Sequence, residues 1–234
     1  MKNNPLQGAI EELLSVTDWQ VHGERLCLSA TVVAQVVNAR LRLQIASQQP
    51  RKHIPLVFVL GATNAGKSTL MDSVRSYPRI GTVEVGKMMR AKYPPEYFKG
   101  NASPAHTNDE GIRMGLDGII AEEAAWKDIC FIDGQPRTLK QVDAFCALPN
   151  PKSFLHLWAP DSVRRERAIA RDGHDAVKLG LSLERLHGDA PALLDVLSVL
   201  LAGGERVTTW RTDRDEYSPW GAANAAANLH GVAL

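Results

Sequence analysis

The sequence predicts an α/β fold in which a parallel five-stranded sheet is flanked by helices. Short apolar runs of strand length alternate along the chain with segments of helical periodicity. A glycine-rich loop at residues 61–68 joins the first of these runs to a helix. Strands that are separated by helices pair in parallel with right-handed crossovers, so we expect a functional site at the carboxyl ends of the strands.

Composition limits the classes of protein to which the chain can belong. Its 234 residues are enough for one principal α/β domain with an appendage. Lys and Arg number 27 against 26 Asp and Glu, so the net charge of +1 gives no overall attraction to nucleic acid or to anionic membranes. The three cysteines, Cys27, Cys130 and Cys146, have no short paired spacing and predict neither a disulfide framework nor a zinc site.

The compartment is also predicted from the sequence. A thiol content of this kind is typical of a reducing, intracellular environment. We find no signal-peptide pattern and no apolar run of membrane-spanning length. We therefore expect a soluble, cytoplasmic protein without a membrane partner, encoded by a phage or by a cell.

Residues 1–50 precede the first core strand and form a predicted helical extension. Leu6, Ile10 and Leu13 have helical spacing, and a second helix is predicted over residues 29–46. Two interpretations stay open: a pair of helices packed on the main domain, or a surface for oligomerisation or substrate docking. The sequence does not predict an oligomeric state.

The first strand, at residues 54–60, leads into a complete phosphate-binding (Walker A) loop with the pattern G-x-x-x-x-G-K-S. Its glycines let successive backbone N–H groups face a polyphosphate at the positive end of the next helix. Lys67 is expected to reach the β- and γ-phosphates, and the Ser68 hydroxyl to bind Mg²⁺. The predicted ATP-binding residues are Gly61, Ala62, Thr63, Asn64, Ala65, Gly66, Lys67, Ser68 and Thr69.

The remaining elements alternate along the chain. Further strands are predicted at residues 80–85, 129–132, 154–158 and 206–210, and helices at 66–75, 107–126, 138–148, 163–171 and 190–201. Two of these helices begin at capping boxes, the first at Thr107 and the second at Thr138. The polar stretch 172–189 is predicted as a short lid between helices, and residues 213–234 as a loosely attached tail. The main domain is therefore predicted at residues 51–212.

Several polar side chains come directly after predicted strands, where chemistry would need them. Asp133 ends the strand at 129–132, a position suited to supporting Mg²⁺ or to accepting a proton, and Arg137 lies a few residues later, within reach of phosphate. Arg167 and Arg171 are spaced i, i+4 and share one face of a helix. Phosphoryl transfer develops negative charge that convergent guanidinium groups stabilise.

In order, these motifs resemble those of adenylate kinase and the nucleoside monophosphate kinases. That family has a phosphate-binding loop, a T-G-D-x-x-R segment, a D-G-F-P-R-T segment and an arginine-bearing lid helix, and the resemblance covers residues 54–210. It implies that Lys67 and Ser68 bind phosphate and Mg²⁺ and that Asp133 supports the metal. It further implies that Arg90 and Arg137 hold the acceptor, and that Arg167 and Arg171 clamp the transferred group.

Departures from the family pattern point to a different acceptor. The family's T-G-D is Val85-Gly86-Lys87 in this chain, and its Phe between Gly and Pro is Gln135. The segment from Gly86 to Gly100 interleaves cations with aromatic residues, a combination suited to phosphates and stacked bases. This segment resembles that of bacteriophage kinases that phosphorylate 5-hydroxymethyluracil in DNA. The predicted acceptor-binding residues are Lys87, Arg90, Tyr93, Gln135 and Arg137.

Three functions therefore stay open. The first is an ATP-dependent kinase acting on a hydroxyl of a nucleotide-like acceptor, with hydroxymethyluracil in DNA as its sharpest form and Asp133 as the base. The second is a nucleoside monophosphate kinase, whose anionic acceptor needs arginines and no base. The third, a nucleotide-hydrolysing switch, is disfavoured because the chain has neither an N-K-x-D nor a D-x-x-G motif.

Overall fold

The structure is a computed structural model that describes residues 53–93 and 104–234, with only the backbone described at 104–108. In these residues five strands form one parallel sheet in the order β2-β3-β1-β4-β5. The strands are β1 (Leu56–Leu60), β2 (Ile80–Glu84), β3 (Ile129–Asp133), β4 (Lys152–Trp158) and β5 (Val207–Arg211). The predicted α/β fold with a parallel five-stranded sheet is confirmed.

Helices cover both faces of the sheet. Those of the described residues are α1 (Lys67–Arg75), α2 (Val85–Lys92), α3 (Pro104–Ala124), α4 (Leu139–Cys146), α5 (Asp161–Asp172), α6 (Ala176–Ala202) and α7 (Pro219–Asn228). Alternate residues of the central strand β1 enter two separate cores. Phe58 packs in the core shared with α3, α4 and α6, whereas Val57 packs in the core shared with α1 and α7. Every residue of β1 is buried, as expected for a strand covered on both faces.

The strand register brings the ends of β1, β2 and β3 to the same edge of the sheet. Asp133 at the end of β3 pairs with Val59 of β1, one residue before the end of that strand. On its other side Asp133 pairs with Glu84, the last residue of β2. Two carboxylates and the loop after β1 therefore lie at the same edge of the sheet, where a crevice forms in open α/β folds.

Helix α3 differs from its predicted start. It begins at Pro104, so the predicted capping residue Thr107 lies within the helix. Glu110, the acidic member of that capping box, instead accepts hydrogen bonds from Lys92 (2.7 Å), Tyr93 (2.6 Å) and Arg113. The capping box predicted at Thr138 is the one that caps a helix, since its side chain accepts a hydrogen bond from the Gln141 N–H.

Most of the polar stretch at residues 172–189, which was predicted to lie between helices, is itself helical. Helix α6 runs without interruption from Ala176 to Ala202 and contains most of that stretch together with the apolar helix predicted after it. Asp175 caps the helix by accepting hydrogen bonds from the N–H groups of Val177 and Lys178, each 3.1 Å long. Most side chains of the stretch are exposed, including those of Val177 and Leu181, while Ser182 and Leu186 are buried. Its role as a lid stays a prediction.

The C-terminal residues are packed against the domain and are not a loose tail. Helix α7 is capped by Ser218 and buries Ala222, Ala223, Ala226 and Ala227 in the core that contains β1 and α1. These small side chains recur at helical spacing, which lets α7 approach its neighbours closely. Trp220 stacks on Tyr77, with ring centroids 4.1 Å apart.

Some predictions lie outside the described residues. They are the helical extension at residues 1–50 and the part of the cation and aromatic segment that contains Tyr97, Phe98 and Lys99. Among the described helices, none combines the length and the apolar character needed to cross a membrane.

Candidate active site

The loop between β1 and α1 has the backbone conformation of a phosphate cradle. Asn64 (φ 63°) and Gly66 (φ 99°) adopt left-handed conformations on either side of Ala65. Gly61 admits no side chain, because a Cβ there would lie 2.6 Å from the Leu157 carbonyl oxygen. Alternation of left-handed and ordinary residues turns backbone N–H groups toward one concavity, which binds anions. The predicted loop is therefore formed as the sequence requires.

Lys67 lies folded into this loop. Its Nζ donates hydrogen bonds to the carbonyl oxygens of Gly61 (2.5 Å) and Ala62 (3.0 Å). Burial of the ammonium group lowers the pKa of Lys67 to about 8, although the nearby charge of Asp133 acts to raise it. The lysine therefore carries its charge at neutral pH, and an incoming polyphosphate would stabilise that charge further.

Asp133 stands beside Lys67 with one oxygen unsatisfied. Its Oδ1 atom is buried and accepts no hydrogen bond from any described residue. Burial raises the pKa of Asp133, while the positive charges of Lys67 and Arg137 oppose the rise. A buried carboxylate oxygen without a donor is suited to a cation shell or to a hydroxyl proton. Together with the exposed Ser68 at the start of α1, Asp133 provides the hard oxygen atoms that Mg²⁺ prefers.

Glu84 is a second carboxylate at this edge, and it is absent from the site residues predicted from sequence. It forms ion pairs with Lys87 (2.7 Å) and with Arg75 of α1. Its negative charge contributes to the raised pKa of Asp133. The rule that identified Asp133, a carboxylate at the end of a core strand, applies equally to Glu84 and would have found it.

In the segment after β3, Arg137 is exposed whereas Gln135 is buried. The Arg137 Nε donates to the Gly134 carbonyl oxygen at 3.0 Å. Gln135 is 2% exposed and lies under α3, where its Oε1 has no hydrogen-bond partner in the described part of the chain. Gly111 of α3 makes room for this amide, because a Cβ there would lie 2.6 Å from Gln135 Nε2.

The two predicted arginines of α5 contact different parts of the structure. Arg167 donates to the Asn64 carbonyl oxygen (3.2 Å) and to the carbonyl oxygen (2.6 Å) and hydroxyl (3.0 Å) of Thr212, directly after β5. Arg171 instead binds Asp172 and the Ser182 hydroxyl, at the packing contact between α5 and α6. The structure therefore brings Arg167 to the phosphate-binding loop and does not bring Arg171 there.

A third arginine of α5, Arg164, lies closer to the loop than the sequence suggested. It is 3% exposed, pairs with Asp161 (2.5 Å) and approaches the Thr63 carbonyl oxygen at 3.4 Å. Its charge is one of those that lower the pKa of Lys67. The spacing of three residues between Arg164 and Arg167 was the available signal, since it places both on one side of a helix.

Asp189 of α6 also contacts the loop. Its Oδ2 accepts a hydrogen bond from the Thr63 N–H at 3.2 Å and another from the Thr63 hydroxyl. Its negative charge acts to raise the pKa of Lys67. No local pattern marks this residue in the sequence, because 126 residues separate it from Thr63.

A cavity of about 280 Å³ opens beside the loop. It is lined by Gly66, Thr69, Arg167, Thr212, Tyr217 and Pro219. The Tyr217 hydroxyl is buried without a hydrogen-bond partner among the residues described, and its burial raises the pKa of Tyr217. The cavity combines an aromatic ring, a guanidinium and small loop residues, a lining that suits a flat, polar ring system.

The predicted acceptor residues of α2 lie on the other side of the site. Lys87 and Arg90 are exposed, Lys87 in its ion pair with Glu84 and Arg90 in the last turn of the helix. The Arg113 guanidinium, the Lys92 ammonium and the Tyr93 hydroxyl all donate to Glu110 and together hold the pKa of that carboxyl well below its usual range. The contacts of Lys92 and Tyr93 fasten the end of α2 to α3.

Comparison with known proteins identifies the fold. An unliganded sugar kinase from Janibacter sp. HTCC2649 matches with a TM-score of 0.54 and 19% identity, over 77% of this chain and 96% of the other. A gluconokinase from Sinorhizobium meliloti 1021 matches with a TM-score of 0.50 and 18% identity, over 77% of this chain and 98% of the other. No family model and no curated protein sequence matches the chain. The predicted enzyme class, an ATP-dependent kinase, is consistent with both neighbours.

Proposed function

We propose that the protein is an ATP-dependent phosphotransferase that moves the γ-phosphate to a hydroxyl of a small or nucleotide-like acceptor. The observation that carries this proposal is the joint position of Lys67 and Asp133 at one edge of the sheet. Lys67 lies inside a phosphate-binding loop, and Asp133 comes from the adjacent strand within its electrostatic reach. Phosphoryl transfer needs at least a cation that binds the transferred phosphate and a carboxylate that binds the metal or accepts a proton. Lys67 and Asp133 provide these two groups.

The donor nucleotide fits the loop and the cavity beside it. In this proposal the loop binds the polyphosphate, and the cavity lined by Arg167 and Tyr217 takes the adenine and ribose. A ring nitrogen or ribose hydroxyl would supply the partner that the buried Tyr217 hydroxyl lacks among the described residues. Arg167 already connects the loop residue Asn64 to Thr212, so nucleotide binding would need little rearrangement of this arginine.

Mg²⁺ would be held by Ser68 and Asp133, and it would neutralise charge on the β- and γ-phosphates. The residues of the chain perform the remaining tasks. Lys67 binds the phosphate oxygens, and Asp133 or Glu84 receives the proton of the acceptor hydroxyl. Burial raises the pKa of Asp133 in the nucleotide-free protein, and bound Mg²⁺ would oppose that rise.

A hydroxyl acceptor is favoured over a phosphate acceptor by the unsatisfied oxygens of the site. Asp133 Oδ1 and Gln135 Oε1 can accept hydrogen bonds but cannot donate them. A reacting hydroxyl group donates a hydrogen bond to such an atom, whereas a reacting phosphate group, whose ionised oxygens only accept, does not. The names of the two structural neighbours, a sugar kinase and a gluconokinase, also favour a hydroxyl acceptor.

In its sharpest form the proposal takes the acceptor to be the hydroxymethyl group of 5-hydroxymethyluracil in phage DNA, the step before hypermodification of that base. Lys87, Arg90 and Lys92 are exposed cations along one short helix, where they could contact the phosphates that flank a target base. Lys87 and Lys92 would exchange their ion pairs with Glu84 and Glu110 for these phosphates. Val85, Lys87 and Gln135 replace residues that contact the acceptor in the nucleoside monophosphate kinases. A base in duplex DNA is inaccessible, so such an enzyme flips the base out or uses single strands.

The test is a transfer assay with γ-labelled ATP and four acceptors. These are DNA containing 5-hydroxymethyluracil, the same DNA with thymine, free mononucleotides, and simple sugars including gluconate. Label in the modified DNA alone supports the sharpest form, and label in a sugar retains a hydroxyl kinase with a different acceptor. Label in mononucleotides alone would replace the proposal with a nucleoside monophosphate kinase. Release of inorganic phosphate without transfer to any acceptor would favour a nucleotide-hydrolysing switch.

A further inference from the structure

The contact between Asp189 and Thr63 places an acidic side chain on hydrogen-bond donors of the phosphate-binding loop. Asp189 lies near the middle of α6 and is half-buried. Its Oδ2 accepts from both the backbone N–H and the hydroxyl of Thr63, the third residue of the loop. We call this pair of hydrogen bonds the Asp189 contact.

The Asp189 contact lies at the end of the loop where Lys67 is held. Lys67 Nζ donates to the carbonyl oxygens of Gly61 and Ala62, the two residues that precede Thr63. The ammonium and the carboxylate are therefore close in space. A polyphosphate that takes Lys67 Nζ as a ligand must approach this carboxylate.

Charge determines how the Asp189 contact responds when a polyphosphate enters the loop. The contact satisfies an N–H and an O–H donor with an anionic oxygen, and a phosphate oxygen is an anionic acceptor of the same kind. Two anions cannot share these donors without repulsion in a partly desolvated site. Arg164 also faces this end of the loop at the Thr63 carbonyl oxygen, and its pairing with Asp161 leaves only part of its charge to offset a second anion.

We propose that Asp189 occupies a position that the polyphosphate of the nucleotide needs, so that binding of ATP displaces the carboxylate and releases this part of α6 from the loop. This inference rests on the proposed function, since it assumes that the loop binds ATP. Asp189 thereby sets the nucleotide affinity of the enzyme without taking part in phosphoryl transfer.

The test compares nucleotide affinities of Asp189 variants by isothermal titration with MgATP, MgADP and adenosine. Asp189→Ala should bind MgATP about tenfold more tightly than the wild type, since the nucleotide no longer has to break two charge-assisted hydrogen bonds. Asp189→Asn, which is nearly isosteric, should show a gain of the same sign. Adenosine, which has no phosphate, should bind all forms equally. Asp195→Asn, an exposed substitution on the same helix, is the matched control and should leave every affinity unchanged.

Thermal unfolding provides a second measurement. Without nucleotide, Asp189→Ala should unfold at a lower temperature than the wild type, because the contact between α6 and the loop is lost. With saturating MgATP the difference between the two should shrink, since ATP breaks the contact in the wild type as well. The asparagine variant keeps this comparison available if the alanine variant does not fold.

Different outcomes overturn different statements. Equal or weaker MgATP binding by both Asp189 variants, with normal binding by the wild type, overturns displacement and leaves the proposed kinase intact. In that case Asp189 orders the loop for the nucleotide. A wild-type protein that does not bind MgATP overturns the proposed function, and this inference with it.

Discussion

The two sides of the candidate site differ in how completely their polar groups are paired. The donor side consists of the loop at residues 61–69 with Arg164, Arg167, Asp189 and Thr212. There the charged groups are held by the protein itself: Lys67 by two carbonyl oxygens, Arg167 by Asn64 and Thr212, and Asp189 by Thr63. The buried polar atom of this side that has no partner among the described residues is the neutral Tyr217 hydroxyl, in the nucleotide cavity. The acceptor side consists of α2, Glu84, Asp133, Gln135 and Arg137. There two buried oxygens, those of Asp133 and Gln135, have no partner among the residues described.

This difference indicates where the protein is organised in advance and where it awaits a ligand. A buried polar atom without a hydrogen bond costs about 1–3 kcal/mol, and a folded protein retains few of them. The presence of Asp133 Oδ1 and Gln135 Oε1 at the acceptor side, and of the Tyr217 hydroxyl at the nucleotide cavity, is explained if bound groups complete them. The donor side, in contrast, exchanges existing protein contacts for contacts with phosphate. We therefore expect substitutions on the donor side to change nucleotide affinity and transfer rate, and those at Gln135 to change acceptor affinity.

The largest effect is expected at Lys67. Lys67→Ala should lower the rate of transfer by about 10³-fold, because a charge directed at the γ-phosphate contributes mostly in the transition state. The measurement is single-turnover transfer from saturating MgATP. Lys178→Ala, which removes an exposed lysine of α6, is the control and should retain full activity. A transfer rate of Lys67→Ala within tenfold of the wild-type rate would show that Lys67 does not stabilise the transition state.

The pH dependence of nucleotide binding should reflect the titration of Lys67. Its pKa is lowered to about 8 by burial, and bound phosphate favours the charged ammonium. Below this pH the lysine is already protonated and the affinity for ATP should be constant. Above it each binding event must take up a proton, so the dissociation constant should rise by up to about tenfold per pH unit.

Titration calorimetry between about pH 6.5 and 9.5, a range that brackets the Lys67 pKa, measures both the affinity and the proton uptake when buffers of different ionisation enthalpy are used. Lys67→Arg is the matched variant, because a guanidinium stays charged throughout this range. It should bind without the pH dependence. An equal dependence in both proteins would assign the titration to another group.

Substitutions of Arg167 and Arg171 test whether the contacts between α5 and the loop contribute to ATP affinity. Arg167→Ala should raise the dissociation constant for ATP about tenfold, since it removes a charged side chain that lines the nucleotide cavity and holds Asn64. Arg171→Ala should leave this constant unchanged and lower the melting temperature by a few degrees, because its partners Asp172 and Ser182 join α5 to α6. Equal losses in kcat for the two variants would restore the sequence-based expectation that both clamp the transferred group.

The smallest effect is expected at Gln135. Gln135→Leu removes the amide whose Oε1 is unsatisfied, with little change in volume, and should raise the acceptor KM about fivefold while leaving the affinity for ATP unchanged. It should also raise the melting temperature slightly, because a buried polar group without a partner in the described part of the chain is replaced by an apolar one. A higher melting temperature with an unchanged KM would show that this glutamine does not bind the acceptor.

Patterns that local chemistry determines were predicted well. The phosphate-binding loop, the strand that ends at Asp133 and the cap at Thr138 each depend on residues that are neighbours in the chain, and the fold of the described residues agrees with them. Glu84 and Arg164 were missed although local signals existed for both. The first ends a core strand, and the second precedes Arg167 by three residues.

Other features depend on contacts that sequence patterns do not encode. Only the second half of helix α6 was predicted as a helix, because the first half is largely exposed and has little hydrophobic periodicity to mark a helix. The C-terminal helix α7 was missed because its apolar face consists of alanines, which also occur in unstructured tails. Asp189 reaches Thr63 only through the packing of α6 beside the loop, and 126 residues separate the two in sequence.

The most direct test of the proposed hydroxyl kinase is the chemical nature of the product, read by ³¹P NMR after incubation of the enzyme with MgATP and each acceptor. A hydroxyl acceptor yields a phosphomonoester, whereas a mononucleotide acceptor yields a phosphoanhydride, and the two bonds give well-separated resonances. We predict a phosphomonoester resonance that forms with the wild-type protein and is lost with Lys67→Ala and Asp133→Asn. Conversion of the mononucleotide's own phosphomonoester resonance into a nucleoside diphosphate in addition to ADP, or release of inorganic phosphate alone, would contradict a hydroxyl kinase.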